Sequence, residues 1–126
     1  MSLILIVEDN EKNMKLVRDI LHHRGHQTLE AETGQEGVRL AIEQRPRLVL
    51  MDIQLPDIDG IRALQLIREQ AALDSMPVLA VSASVMPDEQ QKVVNSGFDA
   101  FISKPINMRQ FVDTVERFLR DGRAVK

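Results

Sequence analysis

Short apolar runs alternate with longer amphipathic stretches along the whole chain, five times over. The first run, 3–7, is continuously apolar, and Glu8-Asp9-Asn10 ends it. Asn10 suits the cap of a helix running to about Arg24, because Met14, Val17, Ile20 and Leu21 recur at helical spacing. Gly25 fits the position after that helix, where left-handed backbone is favoured. A weaker strand is predicted over 27–31, with Leu29 and Ala31 alternating against Thr28 and Glu30. Thr33 and Glu36 have capping-box spacing and open a second helix to about Gln44, which Pro46 bars from continuing. Residues 48–51 form the third strand and deliver Asp52 at its end. A Leu55-Pro56-Asp57 turn then leads to a third helix bearing Ile61, Leu64 and Ile67. The fourth strand is predicted over 78–81, a fourth helix from near Pro87 to Gly97, and the fifth strand over 100–103. Asn107 and Gln110 open the last helix, with Phe111, Val115, Phe118 and Leu119 on one face.

Five βα units predict an α/β fold with an open parallel sheet and helices on both faces. Strands one, three and four are apolar throughout, as central parallel strands covered on both faces must be. Strands two and five carry polar residues and belong at the edges. The order 2-1-3-4-5, a flavodoxin-like (βα)5 sandwich, satisfies both requirements. A Rossmann sheet needs more strands and a glycine fingerprint. The length of 126 residues suits one domain, expected over 1–121 with a short tail over 122–126.

Composition removes several function classes. With no cysteine, disulfides, thiolate metal sites and cysteine nucleophiles are excluded. The net charge of −3, with basic residues scattered rather than striped, does not recommend nucleic acid as a direct partner. Four Phe and no Tyr or Trp argue against a base-stacking surface. The longest apolar run is too short to span a bilayer, and no signal-like segment is evident, so the cytosol is the expected compartment.

The polar residues that carry chemistry collect where the predicted strands end. Glu8 and Asp9 follow strand one, Asp52 follows strand three, Ser82 follows strand four and Lys104 follows strand five. Ligands of such sheets bind beyond the carboxyl ends of the strands, near the switch in strand order. Strands one and three are neighbours there, so three carboxylates crowd a small volume and require neutralisation. Hard oxygen donors favour Mg2+ (or Mn2+). A carboxylate flanked by a metal, an ammonium and a hydroxyl is placed to attack phosphorus, which makes Asp52 the candidate nucleophile of an acyl phosphate. Taken singly, each residue has a plainer reading: Glu8 and Asp9 as solvated or capping groups, Asp52 as a turn residue, Ser82 as an ordinary serine after a strand, Lys104 as a surface charge. Convergence at one end of one sheet favours the chemical reading.

These residues resemble the receiver domains of two-component response regulators over nearly the whole chain. The likeness rests on Val7-Glu8-Asp9-Asn10, on Met51-Asp52 followed by Leu55-Pro56-Asp57 and Asp59-Gly60, on Ser82-Ala83, and on Lys104-Pro105. It implies a phosphoacceptor switch in which Asp52 takes a phosphoryl group from a phosphohistidine on a histidine kinase or histidine phosphotransfer protein. It implies that Glu8, Asp9 and Asp52 hold Mg2+ with the backbone carbonyl of Gln54, and that Lys104 pairs with the phosphoryl oxygens. It implies a cis peptide at Lys104-Pro105, with Ser82 and Phe101 as the switch pair that alters the surface of helix four, strand five and helix five. Serine stands at 82 where threonine is frequent, and Phe at 101 where tyrosine is also common; the hydroxyl needed for switching is kept.

Two other function classes are weighed. A Mg2+-dependent aspartyl phosphohydrolase of the haloacid dehalogenase type needs a second acid two residues after a nucleophile on strand one, whereas Gln54 stands there on strand three. A degenerate interaction module has no need of Glu8, Asp9, Asp52 and Lys104 together. The expected role is therefore that of a signalling module rather than an enzyme, with its partner docking at Asn10, Asn13, Met14 and Ile106. The short tail fits equally a stand-alone relay and a receiver belonging to a hybrid kinase or longer regulator.

Overall fold

The computed structural model describes residues 2–83 and 87–123. Its strands are β1 (Leu3–Val7), β2 (Gln27–Ala31), β3 (Leu48–Asp52), β4 (Val78–Ala83) and β5 (Ala100–Lys104). Its helices are α1 (Glu11–His23), α2 (Gly34–Gln44), α3 (Gly60–Arg68), α4 (Pro87–Asn95) and α5 (Met108–Asp121), with a 3-10 turn over Ala71–Leu73 that the periodicity does not announce. All pairings are parallel and the sheet order is β2-β1-β3-β4-β5, as the polarity of the strands required. Of the expected tail over 122–126, residues 124–126 lie outside the described residues, as does Met1.

Alternation along each strand splits the core into two layers. Leu5, Val7, Val49, Met51, Val78 and Ala80 face α2, α3 and α4, where Ala41, Ala63, Leu64, Ile67 and Val93 meet them. Ile4, Ile6, Leu48, Leu50, Leu79 and Val81 face α1 and α5, where Met14, Val17, Leu21, Phe111, Val115 and Phe118 close the second layer. Helix starts follow side-chain capping of an orphan amide. Asn10 accepts from the Asn13 N–H, Thr33 from Glu36, Asp59 from Arg62 and Asn107 from Gln110, at 2.8–3.1 Å.

Three strands run further than their apolar runs. Asp52 pairs in register with Val81, Ser82 with Ser103 and Ala83 with Lys104. The backbone ladder is indifferent to side-chain polarity, so it continues past the residue where hydrophobicity stops. The polar residues at 52, 82 and 104 thus sit inside the sheet rather than in the loops after it.

The opposite, amino-terminal edge is held by Asp99. Its carboxylate accepts from Arg68 at 3.2 Å, from Arg123 at 2.8 Å and from the Val78 N–H at 2.8 Å. Arg68 and Arg123 also donate to the carbonyls of Leu73 and Asp74, which pins the 3-10 turn to the end of α5. Asp99→Ala leaves two guanidinium groups without their shared anion. It is expected to lower the unfolding free energy by about 3 kcal/mol, read from urea denaturation at neutral pH.

Candidate functional site

The carboxyl edge of the sheet gathers the polar residues. Glu8 follows β1 directly, and its N–H continues the ladder by donating to the Ala31 carbonyl at 2.9 Å. Val7 pairs in register with Met51, so Glu8 and Asp52 stand side by side. Both carboxylates are buried, at 4% and 5% exposure. Lys104, the last residue of β5, reaches between them: its Nζ lies 2.8 Å from Glu8 Oε1 and 2.9 Å from Asp52 Oδ2. The remaining oxygens take backbone donors. Glu8 Oε2 accepts from the Asn10 N–H at 3.1 Å and Asp52 Oδ1 from the Gln54 N–H at 2.9 Å.

Asp9 is exposed and completes a triad. Glu8, Asp9 and Asp52 each present an oxygen within 4.8 Å of the others. Three hard oxygen donors at this separation fit a divalent cation of the Mg2+ or Mn2+ type, since each donor is anionic and Lys104 offsets only one of the charges. Burial pushes the Glu8 carboxyl above the usual carboxylate range; the Lys104 hydrogen bond pulls it down, and the neighbouring Asp52 adds to the rise. Burial works against the Lys104 ammonium too, but its hydrogen bonds to Glu8 and Asp52 outweigh that and hold it above its ordinary value. Glu8 and Lys104 thus both rise, Glu8 through burial and Lys104 through its two hydrogen bonds.

The backbone at Asp52 is fixed by Gly60. A Cβ there would fall 2.6 Å from the Asp52 carbonyl oxygen, so only glycine lets α3 begin this close to β3. The Gly60 N–H donates to the Ile53 carbonyl at 2.9 Å, and Asp57 spans to α2 by accepting from the Gly34 and Gln35 N–H groups. The spacing to Asp52 is visible in the sequence, but the approach of Gly60 and the reach of Asp57 are not, because both depend on contacts between separate elements.

Ser82 is buried at 2% exposure on β4. It shares a face of the sheet with Ala80, Phe101 and Ser103, because Ala80 pairs with Phe101 and Ser82 with Ser103. Phe101 is half-buried against the layer that α2, α3 and α4 cover. The Lys104–Pro105 peptide is cis. The residues expected to dock a partner separate. Asn10 is exposed, while Asn13 and Ile106 are half-buried. Met14 is a correction: at 6% exposure it belongs mainly to the core with Val17 and Leu21, the inward stripe of α1, and leaves little surface for a partner.

The chain matches the response regulator receiver domain family over residues 4–116. It is 41% identical over 119 residues to the polar-differentiation response regulator DivK of Brucella anthropi, covering 94% of this chain and 97% of the relative. The corresponding protein of Brucella ovis is 40% identical over the same length. Among solved structures, it resembles the receiver domain of a sensor histidine kinase from Pseudomonas aeruginosa, described with a magnesium ion coordinated in the active-site cleft. That likeness has a TM-score of 0.88 at 28% identity and covers 95% of this chain and 98% of the other. The signal receiver domain of a histidine kinase from Syntrophus aciditrophicus gives a TM-score of 0.88 at 28% identity, covering 100% of this chain and 96% of the other.

Removing the shared cation tests the electrostatics directly. Lys104→Ala is expected to cost about 3 kcal/mol in metal-free buffer at pH 8. The loss should shrink toward pH 5. Glu8 already has a raised folded-state pKa, so its protonated form is favoured in the folded chain, and the deficit grows as pH rises through that value and falls as Glu8 takes up a proton. Guanidinium unfolding of wild type and variant at both pH values checks the sign.

Proposed function

Since the chain belongs to the response regulator receiver domain family, we propose that it is the phosphoacceptor switch of a two-component or phosphorelay system, with Asp52 as the residue that carries the phosphoryl group. The observation that supports this reading best is the position of the Lys104 ammonium, within hydrogen-bond distance of Glu8 and Asp52 at once, beside the exposed carboxylate of Asp9. A buried carboxylate placed there for structure alone gains nothing from two further acids beside it.

Glu8, Asp9 and Asp52, with the backbone carbonyl of Gln54, would hold Mg2+ (or Mn2+), which when bound supplies positive charge against the oxygens of the transferring group. Asp52 attacks the phosphorus of a phosphohistidine on a histidine kinase or histidine phosphotransfer protein. The new P–O bond forms as the P–N bond breaks, and the imidazole leaves with its electron pair. The Asp52 backbone is held by Gly60 and its Oδ1 is oriented by the Gln54 N–H, so the carboxylate needs little reorganisation. Lys104 is already poised at Oδ2 and follows the charge onto the phosphoryl oxygens.

Ser82 donates its hydroxyl to a phosphoryl oxygen, and Phe101, diagonal to it on the same sheet face, turns into the space that movement leaves. The surface of α4, β5 and α5 changes as a result, a two-state shift biased by one modification. The chain assists its own phosphorylation and dephosphorylation but serves as a signalling module in the cytosol; among the described residues no helix is long and apolar enough to cross a membrane. Asn10, Asn13 and Ile106 lie on the rim where the phosphodonor protein docks.

Intact mass after incubation with acetyl phosphate tests the reading. One phosphoryl adduct is expected in wild type with Mg2+, none without the metal, and none in Asp52→Asn. An unmodified wild type that also fails to bind Mg2+ and beryllofluoride would leave a degenerate interaction module as the better reading.

A further inference from the structure

The carboxylate of Asp57 reaches beyond its own loop to the start of α2. Oδ1 accepts the Gly34 N–H at 2.8 Å and Oδ2 the Gln35 N–H at 2.9 Å, from residues 23 and 22 positions earlier in the chain. These are the first two amides of α2. The third, that of Glu36, is already taken by Thr33 Oγ1 at 3.1 Å. A helix start leaves several amides unpaired, and a local cap is the ordinary remedy. Here the local cap is present, and a second, distant residue has been added to it. The loop also presses on the same helix end: a Cβ at Gly34 would lie 2.5 Å from Ile58 Cγ1 and 3.3 Å from the Ile58 carbonyl oxygen. Glycine at the start of α2 is therefore what lets the loop dock there.

The other polar contacts of this loop stay inside it. Gln54 donates to Asp52, Gly60 to Ile53, and Asp59 caps Arg62. Those bonds shape the segment from 52 to 62 without fixing it against the rest of the molecule. The Asp57 pair does fix it, to a helix packed on the same layer. Pro56 lies between Asp57 and Gln54, and its locked φ limits how far the backbone absorbs a displacement before it reaches residue 54.

We propose that Asp57 is a positioning residue for the cation site: its bidentate anchor on α2 holds the Gln54 carbonyl in the orientation from which it ligates a divalent cation. The proposal rests on the phosphoacceptor reading, which makes that carbonyl a ligand. Burial opposes ionisation of Asp57, but the amides of Gln35 and Gly34, with those of Ile58 and Asp57 itself, outweigh it and keep the carboxyl below its usual range, so the anchor is charged at neutral pH. Groups that orient a ligand in this way are worth about 10–100-fold in metal affinity. A residue that merely caps α2 is worth stability and nothing more.

Thr33 supplies the control, since its side chain caps the same helix turn through the Glu36 amide, a bond local to α2. Mg2+ titration by calorimetry and metal-free thermal unfolding are measured on the full chain for wild type, Asp57→Ala and Thr33→Ala. Both substitutions should lower the unfolding midpoint. Asp57→Ala should weaken Mg2+ by about tenfold or more, while Thr33→Ala keeps the wild-type affinity. Asp57→Asn, which retains one acceptor oxygen, should show a smaller loss in the same direction and carries the comparison if the alanine variant does not fold. Wild-type Mg2+ affinity in the Asp57 variants, with a lowered midpoint, would overturn the proposal and leave a helix cap. Absence of Mg2+ binding in wild type would overturn the reading beneath it, and is distinguished because it precedes any substitution.

Discussion

Two buried carboxylates, Glu8 and Asp52, share the single ammonium of Lys104, and much of the molecule is arranged around that ratio. Like charges about 4 Å apart repel by about 4 kcal/mol at an effective dielectric of about 20, a large part of what a small domain has in total. Parallel pairing of β1 with β3 brings the two acids together, and the register of β4 with β5 delivers the lysine to the same edge. With Asp9 added, the site carries a formal excess of two negative charges over Lys104. A doubly charged cation would balance that excess. An arrangement left short of positive charge responds to a ligand in a way that a neutral one cannot.

The far edge of the sheet holds the inverse arrangement. Asp99 is one anion between two guanidinium groups, and its surplus is spread over the carbonyls of Leu73 and Asp74. Asp99 pairs with both Arg68 and Arg123, and these bonds tie the 3-10 turn, β4 and the end of α5 together. Five in-register strands about 17 Å long separate the two ends. Stability can therefore be concentrated at the amino-terminal edge while the carboxyl edge is free to hold an electrostatic imbalance. The loop from Ile53 to Asp59 sits at the sensitive end, shaped by its own hydrogen bonds and moored to α2 by Asp57.

The strands, most helices and the sheet order were legible because each rests on local rules. Apolar runs mark β1, β3 and β4 as buried on both faces, and the mixed runs at 27–31 and 100–103 had to lie at the edges. Capping residues Asn10, Thr33 and Asn107 lie three positions before the amide they satisfy, so spacing alone finds them. The same logic reached Glu8, Asp9, Asp52 and Lys104 as one cluster, because parallel strands in a known order put their carboxyl ends side by side. Met14 is the exception: its place near the site suggests docking, whereas its helical phase with Val17 and Leu21, equally visible in the sequence, buries it.

Hydrophobic periodicity and strand polarity, acting within a few residues, thus determined by themselves the layers, the topology and which acids meet. Tertiary structure alone decided how the charges are shared. That Lys104 bridges two carboxylates at nearly equal distances depends on side-chain reach across three strands. That Asp57 caps a helix beginning 23 residues earlier depends on the docking of α2 against the loop. That Gly60 must be glycine depends on the 2.6 Å a Cβ would leave to the Asp52 carbonyl. Each is a contact between segments distant in sequence, and a one-dimensional pattern carries periodicity but not the separations at which packed elements come to rest.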